Sequence, residues 1–506
     1  MKPVEEMEFY APAEKIVEIL CKKTQNTDPL FFRISTSFYL TKIASMMRAK
    51  VLLLGKDAIP VNMYALNLES SGMGKGMSTN ILEDQVIGRF KDKFLEELLP
   101  KLAETNANKL ANAKAVKNGT DPDGELELIS EEYRRCGPLL FSFDSGTTPA
   151  LKQMREKLLM AAAGSLNLHV DEIGSNLLNN AEILVAFLEL FDLGLIKAKL
   201  IKNTKENQRV EEIKGHTPAN MLLFGTPAKL LNGSKVEDEF YSMLETGYAR
   251  RCFFGYNKHP AKKKSQTAEE LYDLLNNNQN DNFIVQFAGK LEKLADPKHF
   301  DKVINMPKSV SLVLLDYQLH CRDRAEKFKE HEEIKKTEME HRYFKAMKLA
   351  GTYAFIDGKS HMTEQHMYSA IKLAELSGVA LHNILNKPPK YERLARYIAD
   401  IGKEVTHADI QHDLPMYKGE AHRRELMTLA IAYGYKNNII IKKTTIDDVD
   451  LFTGESLKET DLNSMIFSYS ADITRGYVNQ LAKWDELHKL AEASGIHWIN
   501  HHLENE

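Results

Sequence analysis

Residues 69–77, Glu-Ser-Ser-Gly-Met-Gly-Lys-Gly-Met, follow the apolar run Val61–Leu68 and lead into a helical segment. A glycine-rich turn between strand and helix lets backbone N–H groups point inward around phosphate oxygens, and the helix adds its positive N-terminal end. Ser70, Ser71, Gly72, Met73, Gly74, Lys75, Gly76 and Met77 therefore form a candidate cradle for ATP, with Lys75 reaching the β- and γ-phosphates. Against the pattern GxxxxGK[ST], Gly74 and Lys75 match, Glu69 stands at the first glycine, and Gly76 stands where a Mg²⁺-holding hydroxyl belongs. Ser78, Thr79 or water is left to fill that place.

A second constellation lies about a hundred residues on. The apolar run Leu166–Val170 ends in Asp171 and Glu172. In a Walker B arrangement, Asp171 holds Mg²⁺ through its hydration shell and Glu172 polarises the attacking water. Paired acids opening a loop are common, so the weight rests on their combination with Lys75. A third run, Met221–Gly225, ends in Thr226, a position suited to sensing a γ-phosphate or simply to capping a turn. Arg250 and Arg251 precede the run Cys252–Tyr256. One of them is a candidate finger for a neighbouring subunit's γ-phosphate, with a structural or DNA-facing role the equal alternative.

These side chains need a scaffold. Strand-like runs at Leu139–Phe143, Leu166–Val170, Met221–Gly225 and Cys252–Tyr256 alternate with helical segments such as Pro149–Ala163 and Ala181–Leu193. That alternation predicts a mainly parallel sheet covered by helices. Two helices open the chain, one striped by Ile16, Val17, Ile19 and Leu20, the other over 31–47. Glu104 to Gly119 reads as a polar surface extension, and Ser309 to Asn386 reads as wholly helical. The charged stretch Arg322 to Arg342 within it reads as a solvated helix laced with i,i+4 pairs.

The 506 residues suggest about three domains. Hydrophobic content of 43% and charged content of 27% exclude a disordered chain, a collagen and a disulfide miniprotein. Lys+Arg 67 against Asp+Glu 71 leaves net −4, so no global basic field marks a nucleic-acid binder, and any DNA contact must be local. Cys21, Cys136, Cys252 and Cys321 are too widely spaced for a zinc module or disulfide framework, which fits a reducing cytosol. The acidic, apolar-poor start does not read as a signal peptide, and apolar runs stop short of a membrane span.

Pro388-Pro389 marks a boundary. Residues 387–446 carry 11 Lys/Arg and 7 Asp/Glu, net +4, and residues 447–506 carry 4 and 12, net −8. The basic unit reads as helix, helix, helix and β-wing, the pattern of a winged helix. Arg423 and Arg424 on its third helix, with Lys442 and Lys443 on the wing, are the candidate DNA contacts, and a protein-contact domain is the alternative. Trp484 and Trp498 in the acidic tail either dock the tail on its own protein or engage a primase or polymerase.

The stretches SSGMGKG (70–76), FDSGTTPALKQM (143–154), HVDEIGSNLL (169–178), LLFGTPAKLL (222–231) and ETGYARRCFFGY (245–256) together resemble a family of primase-helicase-like P-loop ATPases from phages and mobile elements. KAMKLAGTYAFIDG (345–358) and MTEQHMYSAIKLAELS (362–377) also look similar to that family. The run Ala346–Ile356 followed by Thr363–Leu376 is similar to the small helical lid of AAA+ replicative helicases, with simple helical packing the alternative. The resemblance spans roughly residues 10–385 and implies a RecA-like or AAA+-type core, ATP and Mg²⁺ as cofactors, a homo-oligomeric ring and a role in replication. The expected architecture is α/β: an N-terminal helical region (1–50), a P-loop NTPase core (51–262), a helical lid (263–386), a winged-helix-like domain (387–446) and an acidic tail (447–506). The expected function is an ATP-dependent DNA helicase or translocase, acting on DNA that is single-stranded in the main reading, in the cytoplasm of a phage-infected or plasmid-bearing bacterium. A DNA-packaging or remodelling ATPase and a non-hydrolysing, nucleotide-switched loader are the alternatives.

Overall fold

Apart from Arg33 and Lys42, residues 29–46 are apolar, aromatic or small around the helical circumference, and such a helix must be wrapped by protein. The computed structural model, which describes residues 2–53, 55, 57–70, 72, 74–174, 181–196, 215–257, 267–275 and 278–456, shows this. After α1 (Ala11–Thr24), α2 (Pro29–Met46) starts with Asp28 accepting the Leu30 N–H at 3.1 Å. Every residue from Phe31 to Met46 except Arg33 is buried.

The surface that α2 covers is a four-stranded sheet of β3 (Tyr64–Leu68), β4 (Leu166–Val170), β5 (Ala219–Gly225) and β6 (Cys252–Gly255). Its order is β4-β5-β3-β6 and every pairing is parallel. Both β3 and β5 are buried along their whole length, as strands with helices on both faces must be. A smaller sheet sets β1 (Lys50–Leu52) between β2 (Ala58–Pro60) and β7 (Val303–Ile304). The protein is thus mixed α/β with a small parallel sheet. No helix among the described residues is long and apolar enough to cross a membrane.

Three expectations change. Leu139–Phe143 is not a strand: Gly137–Leu140 form a 3₁₀ turn and only Phe143 bridges the sheet, opposite Leu168. Glu104 to Asn118 is part of a regular helix, α3 (Leu99–Asn118), capped by Gly119, which pairs with α4 (Pro122–Cys136) through Ala107, Ala111 and Ile129. The charged stretch 322–342 is not uniformly solvated. Glu338 and Arg342 are fully buried, with Arg342 Nε donating to Glu338 at 3.1 Å and Nη1 to Glu375 at 3.0 Å, while Lys345 Nζ donates to Glu338 at 2.9 Å. Burial works to raise the Glu338 carboxyl, but the two cations outweigh it and hold it down at about 2.

The chain divides into two compact units, residues 1–230 with 236–386, and residues 231–235 with the chain from 387 onward. The N-terminal helices, the sheet and the helices to residue 386 thus form one unit, because α2 is the shared core of all of them. The second unit contains helices Lys390–Ile401, His407–Asp413 and Glu420–Lys436 with β8 (Val405–Thr406), β9 (Ile439–Ile446) and β10 (Val449–Ser456). Its sheet is antiparallel in the order β8-β10-β9, closed over Leu394, Ile398, Ile410, Leu426 and Phe452. Asp447 and Asp448, both at positive φ, make the two-residue hairpin turn.

That hairpin moves the domain boundary from 446 to at least 456 and with it the charge. The added turn and strand bring Asp447, Asp448, Asp450 and Glu455, so residues 387–456 hold 11 basic and 11 acidic side chains and the excess of +4 becomes zero. Trp484 and Trp498 lie outside the described residues.

Candidate functional site

The phosphate loop leaves the C-terminal end of β3, and in a parallel sheet the C-terminal strand ends are where ligands bind. Glu69 N–H bonds the Gly225 carbonyl at 3.0 Å, tying the start of the loop to the end of β5. Gly72 and Gly74 take positive φ of 85° and 88°, and Gly74 caps the short helix Lys75–Asn80. A Cβ on Gly74 would lie 2.5 Å from Thr24 Cβ, so α1 presses against the loop from behind. Ser71 and Met73, both assigned to the cradle from the sequence, lie outside the described residues.

Around the loop is a cavity of about 480 Å³ lined by Asn67, Glu69, Ser70, Gly72, Gly74, Lys75, Gly76, Glu172, Phe224, Gly225 and Thr226. Lys75 and Glu172, 97 positions apart in sequence, therefore share one wall. Lys75 Nζ donates to the Asp171 carbonyl oxygen and sits 5.5 Å from the centre of the Phe224 ring. Glu172 is held from β5: its Oε1 accepts the Thr226 N–H at 3.3 Å, its Oε2 the Thr226 hydroxyl at 3.2 Å, and Lys229 Nζ is 3.7 Å away. Thr226 thus engages both oxygens of the Glu172 carboxylate, a link no local sequence signal carries.

Asp171 is exposed at the end of β4, its carboxylate 3.7 Å from the His169 ring. Burial first, and then the Lys42 cation, keep that imidazole below its usual range and hence neutral at pH 7. The Ser78 hydroxyl donates to the Lys75 carbonyl at 2.8 Å, and that of Thr79 to the Lys75 and Gly76 carbonyls, each at 3.0 Å. Both hydroxyls are occupied by the helix backbone and neither residue lines the cavity. Met77 is exposed, also outside that lining. The donors fit a triphosphate through loop N–H groups and Lys75. The carboxylates that line the cavity are Glu69 and Glu172, while Asp171, assigned to Mg²⁺ from the sequence, is exposed beside it and outside that lining. So sparse a donor set suits an ion held mainly by water and phosphate.

Arg250 and Arg251 have different surroundings. Arg251 donates to Asp192 Oδ2 at 3.1 Å and to the Gly247 carbonyl at 3.3 Å, with its side chain 11% exposed. Arg250 is half-buried and has no hydrogen-bond or ion-pair partner among the described residues. In the second unit, Arg424, Lys442 and Lys443 are exposed and Arg423 Nη1 lies 3.4 Å from Gln411 Oε1. Lys443 is paired with Asp450 at 2.8 Å, and Asp450 also faces His407 at 3.4 Å. The wing therefore neutralises part of its own charge.

No protein-family model matches the chain, and no curated protein matches it.

The loop geometry has a direct consequence for stability. Gly74→Ala combines a left-handed backbone with a contact on Thr24 and should cost about 1–3 kcal/mol. Gly76, with ordinary φ and nothing within 4 Å of an added Cβ, should accept alanine without loss. Urea unfolding of the two variants measures the contrast, and equal midpoints would refute the strained-loop account.

Proposed function

We propose that this protein is an ATP-hydrolysing P-loop motor acting on DNA during phage or plasmid replication, a helicase or translocase with a RecA-like or AAA+-type core. The observation that carries the reading is the single cavity that gathers Gly72, Gly74, Lys75, Glu172 and Thr226 at the C-terminal ends of parallel strands. The strand bearing the acids is separated from the loop strand by β5 alone, so both motifs open on one edge and Thr226 stands between them. In this reading the loop N–H groups and Lys75 hold the phosphates, Glu172 takes the proton of the attacking water, and Thr226 releases Glu172 when a γ-phosphate competes for its hydroxyl. Mg²⁺ beside Asp171 would supply charge neutralisation at the phosphates. The helix and wing order of the second unit supports a winged-helix-like domain, and DNA contact there falls to Arg423 and Arg424 on the third helix with Lys442 and Lys443 on the wing.

Two observations favour the second reading, a nucleotide-switched loader. Gly76 brings no hydroxyl to the metal place, and both Glu172 oxygens are already engaged by Thr226. ATP turnover with and without single-stranded DNA separates the readings: stimulated turnover marks a motor, and binding without turnover marks a switch. Within the motor reading, Glu172→Gln should bind ATP as the wild type does and hydrolyse it about 10²–10⁴-fold more slowly. Loss of binding in that variant would make Glu172 a structural residue.

A further inference from the structure

Glu69 occupies the position of the loop's first glycine, and its side chain lines the same cavity as Lys75. Its Oε1 accepts the N–H of Ser70 at 3.2 Å, one of the loop amides that a phosphate oxygen would otherwise use. Asn26 hydrogen-bonds the same carboxyl from the turn between α1 and α2, and Asp28 on that turn is a second carboxylate facing it. Asp28 is itself fixed, accepting Leu30 N–H and the Asn257 side chain. The charged groups around Glu69 are therefore Asp28 from the α1–α2 turn, Lys75 from the helix after the loop, and Glu172 from the end of β4.

We propose that Glu69 is an internal occupant of the phosphate loop, a carboxylate that holds a loop N–H until an anion enters, and that polyphosphate binding requires this side chain to be neutralised or displaced. The inference rests on the reading of the cavity as a nucleotide site and deepens it by naming the residue that sets affinity for the anion. An ionised carboxylate here repels a triphosphate and competes for Ser70 N–H. A protonated one carries no charge to repel the anion and holds Ser70 N–H only as a weaker, neutral acceptor that an anion displaces. Burial, and then Asp28, push the Glu69 carboxyl up to about 7, so the exchange falls in the neutral range. The sign follows: the neutral form dominates below pH 7 and admits the anion, and affinity falls as pH rises through that value.

Isothermal titration of the full chain with ATP and Mg²⁺ at pH 6 and pH 8 tests this, on the wild type and on Glu69→Gln. The wild type should bind about tenfold more weakly at pH 8 than at pH 6, the change expected from one group titrating near the midpoint of that range. Glu69→Gln should bind about tenfold more tightly than the wild type at pH 8, match it at pH 6, and lose most of the pH dependence. A flat wild-type profile, or equal profiles in the two proteins, overturns the role of Glu69 while leaving the nucleotide site intact. Absence of ATP binding by both proteins at both pH values overturns the nucleotide site, and this inference with it.

Discussion

Lys75→Ala is expected to take ATP binding and turnover below detection while the protein stays folded. The side chain makes two described interactions, a hydrogen bond to the Asp171 carbonyl and a contact with the face of Phe224. Losing one solvent-accessible hydrogen bond costs the fold about 0.5–1.5 kcal/mol. At the phosphates the balance is different. Among the residues that line the cavity, Lys75 is the one cation, facing Glu69 and Glu172. Its removal leaves the loop amides to hold a polyanion against two carboxylates, and a charge-assisted contact in such a cleft is worth roughly 3 kcal/mol or more, beyond a hundredfold in affinity. Titration with ATP, phosphate-release kinetics and a thermal melt together check the prediction. Turnover near the wild-type rate would remove the phosphate loop from the mechanism.

Much of this site was legible because it is carried by short motifs in strand-end positions. Leu166–Val170 and Ala181–Leu193 form the elements their apolar patterns predict, and Asp171, Glu172 and Thr226 stand at the ends of strands as expected. Leu139–Phe143 shows where composition misleads. Its apolar run lies at the outer edge of the sheet, Pro138 can donate no ladder hydrogen bond, and Leu139 ends 52% exposed. The helix Leu99–Asn118 was hidden by the opposite effect. Its core contacts are alanines spaced four apart, whose weak hydrophobicity makes a buried stripe read as polar surface.

Long-range partnerships were the blind spot. Glu338 and Arg342 carry the charges of a surface helix, and it takes Lys345 beside them and Glu375 on a later helix to complete the pairing that makes their burial tolerable. The clamp of Thr226 on Glu172 joins residues 54 positions apart, and the hydrogen bond of Asn26 to Glu69, beside the like charge of Asp28, reaches across α2 and β3. In the second unit the basic excess came from a boundary drawn before the returning strand of the hairpin. A β-strand without its partner is half a feature, and here the missing half carried the compensating acids.

The pair Arg250 and Arg251 is where partnership decides function, and it gives the second large expected effect. Both residues precede β6, whose Cys252 lies opposite Tyr64, the first residue of β3. The phosphate loop begins after Leu68, at the other end of that strand, so at ~3.3 Å per residue the arginines stand roughly 15–20 Å from their own cavity. Neither can serve the site of its own chain, and a finger role is possible only toward a neighbouring subunit. Arg251 is committed to Asp192 and the Gly247 carbonyl and packs over Phe191. Arg250 has no such commitment among the described residues, and burial, then Arg251, lower its proton affinity while the charge of Asp192 works against them. Arg250→Ala should therefore keep ATP binding and lose about 10³-fold or more in turnover, whereas Arg251→Ala should chiefly destabilise the fold. The decisive measurement mixes Arg250→Ala with Lys75→Ala, each inactive by itself. In a mixed assembly some interfaces combine an intact loop from one subunit with an intact Arg250 from the next, so turnover should return to about a quarter of the wild-type level if subunits exchange at random. Silence in the mixture, with both variants folded and assembled, would show that Arg250 does not act across a subunit boundary.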